Sequence, residues 1–514
     1  MVVFPDDDLD GTVREIIAGN DWMADQPLVA EVLADSYARL KDLEAIDIRY
    51  ADADGRYERK PTRGLDLTRV MCPVGGGLEF CWRIRRALEA QGVHILDRIH
   101  LTGLMRGGSD RIVGAIGLHS RTGAFHAIRA RATIIATNAI TFRPGFARDI
   151  TGTGTLLAYK AGAALRNGEY SYVRPGTPKF YFEGITMAIQ EGARFINADG
   201  EPFMARYEPD WADEADVPRI ARAMAMEHRR GKAPLYLDMS GVPEAAREHF
   251  IRGKVKWMEL FFSKLGREAR TDMFGRTPYF PLNQMTKMGV ATGADCRADV
   301  PGLLAAGLAQ AGCANHFAGF HIGMCIGTGW IAGRSAVEDL DRLAEPRLKA
   351  AEVRALREAC YRPLDPKAAA ESDRILRDLQ AVMFRYDVMI WKHRERLESA
   401  LAMLAGLKAE FTALHAPHTH ELVRLKETEA MLLAAEIMLR ASLFRTESRL
   451  SHFREDHDFR DDAEWLAWVD IQDEGGTPLA RKTPIATPIL PVTEAGKTLA
   501  ARRKRRHVTE AAPH

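Results

Sequence analysis

Two segments of this 514-residue chain each combine an apolar strand, a turn of small residues and a helix, and they constrain the fold more than any other feature. The first runs from a strand at residues 132–137 to a glycine-containing turn at residues 151–154, and the second covers residues 302–333. Small residues let the backbone approach a phosphate or a flat ring, and a helix N-terminus offers free N–H groups to an anion. The pair therefore predicts an α/β domain with a ligand at its strand ends.

The regions between and after these segments have a different character. Residues 171–285 are rich in proline, aromatic and charged side chains, with one long helical pattern at residues 217–230. From residue 346 to about 448 the chain is strongly helical, and Gly406 is the only glycine there. Proline and then five consecutive basic residues, 502–506, follow towards the end. We therefore expect an inserted unit at 171–285, a helical domain at 346–480 and a tail at 481–514.

Composition excludes several classes of protein. Lys and Arg total 71 against 70 for Asp and Glu, a net charge of +1, so nucleic acid is not expected as a partner. No apolar run reaches the roughly 18–20 residues of a membrane span, and the acidic N-terminus is not a signal peptide. The six cysteines are scattered and form no C-x-x-C pair. They predict a reducing, cytoplasmic setting and no metal site.

Taken in order, these segments resemble the flavoprotein subunits of the succinate dehydrogenase and fumarate reductase family. Residues 134–138 correspond to that family's strand end ATGG, residues 151–154 to its TGDG turn, and residues 302–333 to the segment that closes over FAD. The resemblance implies an α/β (α+β) FAD-binding Rossmann-like domain with an inserted capping domain and a C-terminal helical domain. It also implies non-covalent FAD, and the implied FAD-binding residues are Ala136, Thr137, Asn138, Thr151, Gly152, Thr153, Gly154, Gly307, Asn315 and Gly319.

A second resemblance, to the flavoprotein (α) chain of dissimilatory adenylylsulfate reductase, covers most of residues 10–475. It is clearest at residues 217–238 and 420–449. On that pattern Arg222 matches the substrate-facing arginine and His316 the active-site histidine near the flavin. The resemblance implies a ferredoxin-like iron–sulfur subunit that exchanges electrons with the flavin.

Substrate binding and proton transfer in succinate dehydrogenases rest on two histidines and two arginines, and this chain differs at all four positions. The residues at those positions are Arg174, Val217, Met285 and His316. Val217 cannot deliver a proton, and a site without paired cations binds a dicarboxylate poorly. Arg174 can still bind an anion. We therefore predict Arg222, His316 and Arg174 as the catalytic residues for a small anionic substrate.

One family feature is missing from the start of the chain. FAD proteins of this type begin with a strand and G-x-G-x-x-G, whose amides hold the pyrophosphate. Residues 75–77, Gly-Gly-Gly, do not supply it because no apolar strand precedes them. We therefore expect an FAD-binding domain at 1–170 and 286–345 that lacks its first βαβ unit. Three hypotheses stay open: an adenylylsulfate reductase-like FAD oxidoreductase, a truncated or degenerate flavoprotein acting as a scaffold, and a fumarate or succinate oxidoreductase.

Overall fold

A computed structural model describes residues 1–144, 151–177, 185–249, 275–315, 317 and 319–492. Two features of the sequence fall outside these ranges. They are His316, one of the predicted catalytic residues, and the basic run at 502–506.

Helices in the described residues occur along the whole chain. Their bounds are α1 Leu9–Gly19, α2 Gln26–Ala34, α3 Ser36–Ala45, α4 Gly76–Ala90, α5 Thr153–Lys160, α6 Ile185–Gln190, α7 Met204–Tyr207, α8 Val217–Arg229, α9 Glu244–His249, α10 Phe320–Leu340, α11 Ala350–Tyr361, α12 Ser372–Met383, α13 Tyr386–Met389, α14 Arg394–Phe411, α15 Thr419–Phe444 and α16 Asp462–Trp465.

The strands form several small sheets. Their bounds are β1 Lys60–Pro61, β2 Arg69–Val70, β3 Ile99–Arg106, β4 Ile112–His119, β5 Phe125–Arg129, β6 Thr133–Ile135, β7 Leu165–Arg166, β8 Ser171–Gly176, β9 Arg194–Ile196, β10 Leu235–Asp238, β11 Arg276–Thr286, β12 Gly289–Val290, β13 Leu303–Ala305, β14 Trp391–Lys392, β15 Phe453–Arg454, β16 Ala467–Glu474 and β17 Thr477–Pro484. The larger sheets have the orders β8-β11-β10-β9, β12-β7-β16-β17 and β3-β4-β5.

The two segments that the sequence singles out meet in one parallel pair. Strands β6 and β13 run side by side, with Ile134 opposite Leu304. Helix α5 follows β6 along the chain, and α10 follows β13 and contacts both strands. The carboxyl ends of two parallel strands therefore lie together, which is the arrangement that places ligands in open α/β sheets.

The strands of the sheet β8-β11-β10-β9 come from the inserted region. We propose that this region is the cap. Helix α8 packs against β8 and β11 and begins after Asp216, whose side chain accepts from the Arg219 N–H. Phe195, Phe203 and Met224 belong to the buried apolar core of the region. The cap therefore has a core of its own, and α8 connects it to the rest of the molecule.

Helices α14 and α15 pack against each other in the C-terminal part, and α15 is buried along much of its length. Residues that follow α15 carry a set of buried charges. Arg445 donates from Nε to Glu169 Oε1 at 2.8 Å, and Arg449 donates from Nη1 to the Asp21 carbonyl at 2.8 Å. These bonds tie the end of the helical region to the α/β part. Within the described residues, no helix is long and apolar enough to cross a membrane.

Candidate cofactor and substrate site

The predicted cofactor-binding residues after β6 lie beside those after β13. Ile135 and Ala305 are opposite each other in the parallel pair, and the Ala306 N–H donates to the Ile135 carbonyl at 2.9 Å. Ala136, Thr137 and Asn138 follow β6 directly, and a short turn at Gly307–Ala309 follows β13. The fold thus brings together two sets of predicted residues that lie far apart in sequence.

Glycines at the start of α5 allow a close contact with the chain's own backbone. Gly152 is the left-handed N-cap of α5, with φ 57°, between Thr151 and Thr153. A Cβ at Gly152 would lie 2.5 Å from the Ala139 carbonyl oxygen, and a Cβ at Gly154 would lie 2.6 Å from Thr137 Oγ1. Both glycines therefore fix α5 against the segment that follows β6.

Substituting Gly152 by alanine is expected to destabilise the protein. The left-handed conformation costs a non-glycine residue roughly 1–2 kcal/mol, and a forced contact with the Ala139 carbonyl costs roughly 1–3 kcal/mol more. Gly200→Ala is the matched control, because Gly200 has φ +80° but nothing within 4 Å of its Cβ position. Urea unfolding of both variants isolates the contact. Equal losses of stability would show that α5 does not need this close approach.

The N-terminus of α10 lies at the same place. Gly319, with φ 80°, is its left-handed N-cap, and the helix is 21 residues long. The Gly307 N–H donates to Thr328 Oγ1 at 2.8 Å, which holds the turn after β13 against α10. Asn315 receives support from two sides: its N–H donates to Asn20 Oδ1 at 2.8 Å, and its Nδ2 donates to Asp216 Oδ2 at 3.4 Å. Gly319 therefore caps α10, while Gly307 lies against a later turn of the same helix.

Four basic side chains gather around Tyr172 of β8, and we call them the cationic cluster: Arg63, Arg174, Lys287 and His321. Lys287 Nζ lies 3.1 Å from His321 Nε2 and 4.5 Å from the centre of the Tyr172 ring. The His321 ring, at the second position of α10, meets Tyr172 edge-on at 5.2 Å. Arg63 interacts electrostatically with both Tyr172 and Arg174. The predicted residue Arg174 is thus one member of a larger group.

Burial makes this cluster electrostatically unusual. Arg63 is 9% exposed and Lys287 6% exposed. Arg63 Nε and Nη1 are buried and have no hydrogen-bond partner within the part of the chain that the structure describes. Burial lowers the pKa of Lys287 to about 7, and burial together with Lys287 and Arg174 lowers the pKa of His321 well below 6.5. Buried cations are costly unless an opposite charge pairs with them, so the cluster is suited to an anionic ligand.

An apolar cluster adjoins the cationic one through Tyr172. Its other members are Ala139, Val217, Met285 and Leu308. Ala139 directly follows Asn138, and Leu308 directly follows Gly307. One side of this cluster therefore belongs to the segments that we predict to bind the cofactor. The cap side is Val217, the first residue of α8, and Met285, which pairs with Tyr172 in the sheet. Two of the four altered family positions, Val217 and Met285, therefore pack in a single apolar surface.

Arg222 lies in a neighbouring cavity of about 290 Å³ that is lined also by Glu208, Arg219 and Phe453. Its guanidinium carbon stands 3.6 Å above the Phe453 ring. Asp216 borders this cavity and also accepts a hydrogen bond from Asn315. The Arg222 cavity and the segment before α10 therefore share one carboxylate. The role that the sequence suggested for Arg222 stays a prediction.

Sequence reasoning did not select Arg63, Lys287 or His321 as site residues. Lys287 had a usable signal, because it directly follows β11 and has Met285 and Met288 close to it in sequence. His321 lies inside the glycine-rich segment, where its contact with Lys287 was not visible. Arg63 carries no local signal, since a threonine and a glycine flank it in a loop.

The residues at this site fit the flavin that the sequence suggests. An enzyme that uses a flavin must hold a flat ring and place charge and hydrogen bonds at the ring's polar edge. The apolar cluster can cover a flat ring, while the N-terminal amides of α10 and the buried Lys287 can hold an anionic edge. Among the residues that the structure describes, no group of three or more His, Cys, Asp or Glu is placed to hold a metal ion.

Comparison with known proteins agrees with the fold. The FAD binding domain family matches residues 2–321, and the fumarate reductase flavoprotein C-terminal family matches residues 376–494. A subunit of the CoM/CoB fumarate reductase of Methanothermobacter marburgensis is 28% identical over 88% of this chain and 84% of its own length. The Mycobacterium tuberculosis fumarate reductase flavoprotein subunit is 26% identical over 90% of this chain and 84% of its own length.

Solved structures show the same fold. The FrdA chain of E. coli quinol fumarate reductase superimposes with a TM-score of 0.85 at 18% identity, over 95% of this chain and 89% of that one. Adenylylsulfate reductase from Archaeoglobus fulgidus gives a TM-score of 0.76 at 20% identity, over 94% of this chain and 86% of that one.

The fold and the site together define a flavoprotein of the oxidoreductase class, with a C-terminal helical domain. The chain belongs to the FAD-binding family that contains the flavoproteins of fumarate reductase and succinate dehydrogenase. The expected fold class and the FAD cofactor are thereby confirmed, whereas the likeness to adenylylsulfate reductase extends to the fold alone.

Proposed function

We propose that this chain is the flavin-bearing subunit of an oxidoreductase that passes electrons between a small anionic substrate and a ferredoxin-like iron–sulfur partner. The observation that carries the proposal is the buried cationic cluster beside the ends of β6 and β13. Arg63 and Arg174 contribute positive charge there, and Lys287 lies against His321 at the start of α10. These side chains would form an anion-binding site beside the segments that we predict to bind FAD.

The chain's own residues would bind, orient and shield the substrate. Arg174 and Arg63 would hold its anionic group, because guanidinium groups form strong charge-assisted hydrogen bonds with oxyanions. The cap residues Val217 and Met285 would exclude water from the adjoining apolar surface. The flavin, when bound, supplies electron-pair transfer, and the protein supplies position and charge. Arg222 and His316 remain proposed participants from the family pattern.

The names of the relatives support an electron-transfer partner for this chain. The M. marburgensis protein is named as one subunit of a fumarate reductase, and the M. tuberculosis protein is named a flavoprotein subunit. Those names place related chains in assemblies. The described cysteines are free thiols, and Cys296 and Cys313 are buried in one apolar core while Cys360 is buried in another. An electron partner with its own cluster is therefore the simplest arrangement.

The choice of substrate follows from the altered positions. A dicarboxylate needs positive charge at both ends, but Val217 and Met285 are buried and apolar. Adenylylsulfate carries its anionic groups at one end of the molecule and so remains a candidate. Fumarate and succinate are the less favoured alternative for the same reason.

Flavin retention is the first test. The purified chain is mixed with FAD, excess FAD is removed, and the visible spectrum is recorded. Retained flavin absorbance supports the proposal, and a colourless protein would favour the alternative of a scaffold without FAD. The bound flavin is then reduced with dithionite under nitrogen, and its reoxidation by adenylylsulfate and fumarate is followed.

A variant of the cationic cluster connects the chemistry to the site. Arg174→Met is expected to slow reoxidation by the active compound about tenfold or more, since a charge-assisted bond contributes about 1.5–3 kcal/mol. Arg194→Met is the control, because Arg194 is a half-exposed arginine on β9, on the opposite edge of the same sheet. If both variants behave like the wild type, Arg174 does not hold the substrate.

A further inference from the structure

The site has two chemically different ends that share Tyr172. One end is the cationic cluster, in which Arg63 and Lys287 are buried. The other end is the apolar cluster, in which Val217 is 7% exposed and Met285 9% exposed. Because the Tyr172 ring contacts Lys287 and also packs with Met285, a small molecule in contact with this ring would meet both ends.

We propose that this site selects a substrate whose negative charge lies at one end and whose other end is uncharged, and rejects molecules of the same size that are charged at both ends. The inference rests on the proposed function, because it describes the substrate of that site. Val217 and Met285 are the residues that set this specificity. They do so by presenting apolar surface from the cap to the part of the substrate that lies away from the cationic cluster.

The positive end accounts for the single anionic group. Arg63 keeps Nε and Nη1 without a hydrogen-bond partner among the described residues, although both atoms are buried. Each of these donors can form a charge-assisted hydrogen bond with an oxyanion oxygen. The carboxylate that interacts with Arg63, Asp216, is already engaged by Asn315 Nδ2 at 3.4 Å and by Arg219 Nε at 3.6 Å. Arg63 therefore has capacity for an anion from outside the chain.

The apolar end accounts for the rejection of a second charge. A carboxylate placed against Val217, Met285, Ala139 and Leu308 would lose its hydration and gain no cation. A methyl group in the same place would instead bury apolar surface, which is favourable. The difference between the two outcomes is the physical basis of selectivity.

Crotonate and fumarate form a matched pair of probes, since they share a four-carbon trans-alkene and differ only by a methyl or a carboxylate at one end. Their dissociation constants for the FAD-loaded protein are measured by isothermal titration calorimetry, which does not depend on turnover. Crotonate is expected to bind at least about tenfold more tightly than fumarate, because the unpaired second charge has to be desolvated. Equal affinities, or tighter binding of fumarate, would overturn the inference.

Val217→Arg places a cation at the apolar end and is expected to reverse the preference. Fumarate binding should improve about tenfold or more and crotonate binding should weaken, because the second carboxylate then has a partner. Val337→Arg is the matched control, since Val337 is 64% exposed on α10 and should leave both affinities unchanged. If Val217→Arg does not fold, Met285→Arg tests the same end, and the wild-type comparison needs no variant.

The outcomes separate this inference from the proposed function. Retained flavin together with tighter fumarate binding would overturn the inference and leave a flavin-dependent oxidoreductase. Retained flavin without binding of either probe would also overturn it. Loss of flavin would contradict the proposed function. The two probes are then titrated into the FAD-free protein, where a preference for crotonate would still support a site with two different ends.

Discussion

Replacing Glu447 by glutamine is expected to lower the free energy of unfolding by roughly 3–5 kcal/mol, the usual cost of removing one partner from a buried ion pair. Glu447 Oε1 accepts from Arg445 Nη1 at 2.8 Å and from Arg449 Nε at 2.7 Å, and its Oε2 accepts from Arg449 Nη2 at 2.9 Å. The side chains of all three residues have no exposed surface. Glutamine preserves the shape but leaves two buried guanidinium groups without their shared charge.

The effect should extend to the candidate site, because these arginines join the C-terminal region to the α/β part. Arg445 also donates to Glu169, and the next residue, Tyr170, accepts from the Lys287 N–H at 3.0 Å through its carbonyl oxygen. The cationic cluster is therefore two hydrogen-bonded steps from the buried ion pairs. A loosened C-terminal region is expected to weaken flavin retention as well as stability.

Equilibrium unfolding in urea at pH 7, followed by tryptophan fluorescence, measures the loss. Glu464→Gln is the matched control, because Glu464 pairs with Lys482 at 3.0 Å while its side chain is 70% exposed. Exposed ion pairs contribute about 0–1 kcal/mol, so the control should change little. Similar losses in the two variants would show that burial does not strengthen the Glu447 network.

The sequence predicts the ligand-binding frame of this fold well, because its signals are local. A strand that ends in small residues, followed by a glycine turn and a helix, indicates a strand end with a helix N-terminus wherever it occurs. Asp216 before a helical pattern with proline at its second position likewise predicts the start of α8. The expected strand at 132–137 contains β6, the segment 302–333 contains β13 and the start of α10, and the helical pattern at 217–230 contains α8.

The substrate end could not be predicted to the same degree. Arg63, Arg174, Lys287 and His321 come from four separate parts of the chain and meet only through tertiary packing. Burial, which makes Lys287 chemically distinctive, is a property of the folded molecule and has no sequence pattern. Gly152 and Gly154 are different, because the glycine turn before α5 is evident in the sequence. The close approach that these glycines allow is in part to the chain's own backbone, which the sequence does not indicate.

Oxyanion binding is expected to weaken about tenfold per pH unit above pH 7, because binding then takes up one proton. The ligand-free pKa of Lys287 is about 7, and an anion beside the ammonium group raises that pKa in the complex. Below pH 7 Lys287 is already charged, so the affinity is constant there. Above pH 7 the lysine must be protonated on binding, and the affinity falls until the pKa of the complex is reached.

The groups that face Lys287 do not provide this dependence. Among the described residues these groups are His321 on α10, Tyr172 on β8 and Cys313 in the loop before α10, and Arg174 on β8 acts on His321. Burial keeps the pKa of His321 well below 6.5 and raises the pKa of the Cys313 thiol, so both stay neutral between pH 7 and 8.5. Lys287 is thus the group that titrates in this range.

Calorimetric titration of the FAD-loaded protein with crotonate at pH 6, 7, 8 and 8.5 checks the slope, and buffers of different ionisation enthalpy count the protons taken up. Lys287→Met should bind crotonate more weakly and with the same affinity from pH 7 to 8.5, because the ionisable group is gone. Lys232→Met is the control: this exposed lysine on the cap pairs with Asp199, and its loss should leave the slope unchanged. Two results would show that Lys287 does not hold the anion: a slope that persists in Lys287→Met, or a wild-type affinity that does not change above pH 7. The positive end of the site would then consist of Arg63 and Arg174 alone.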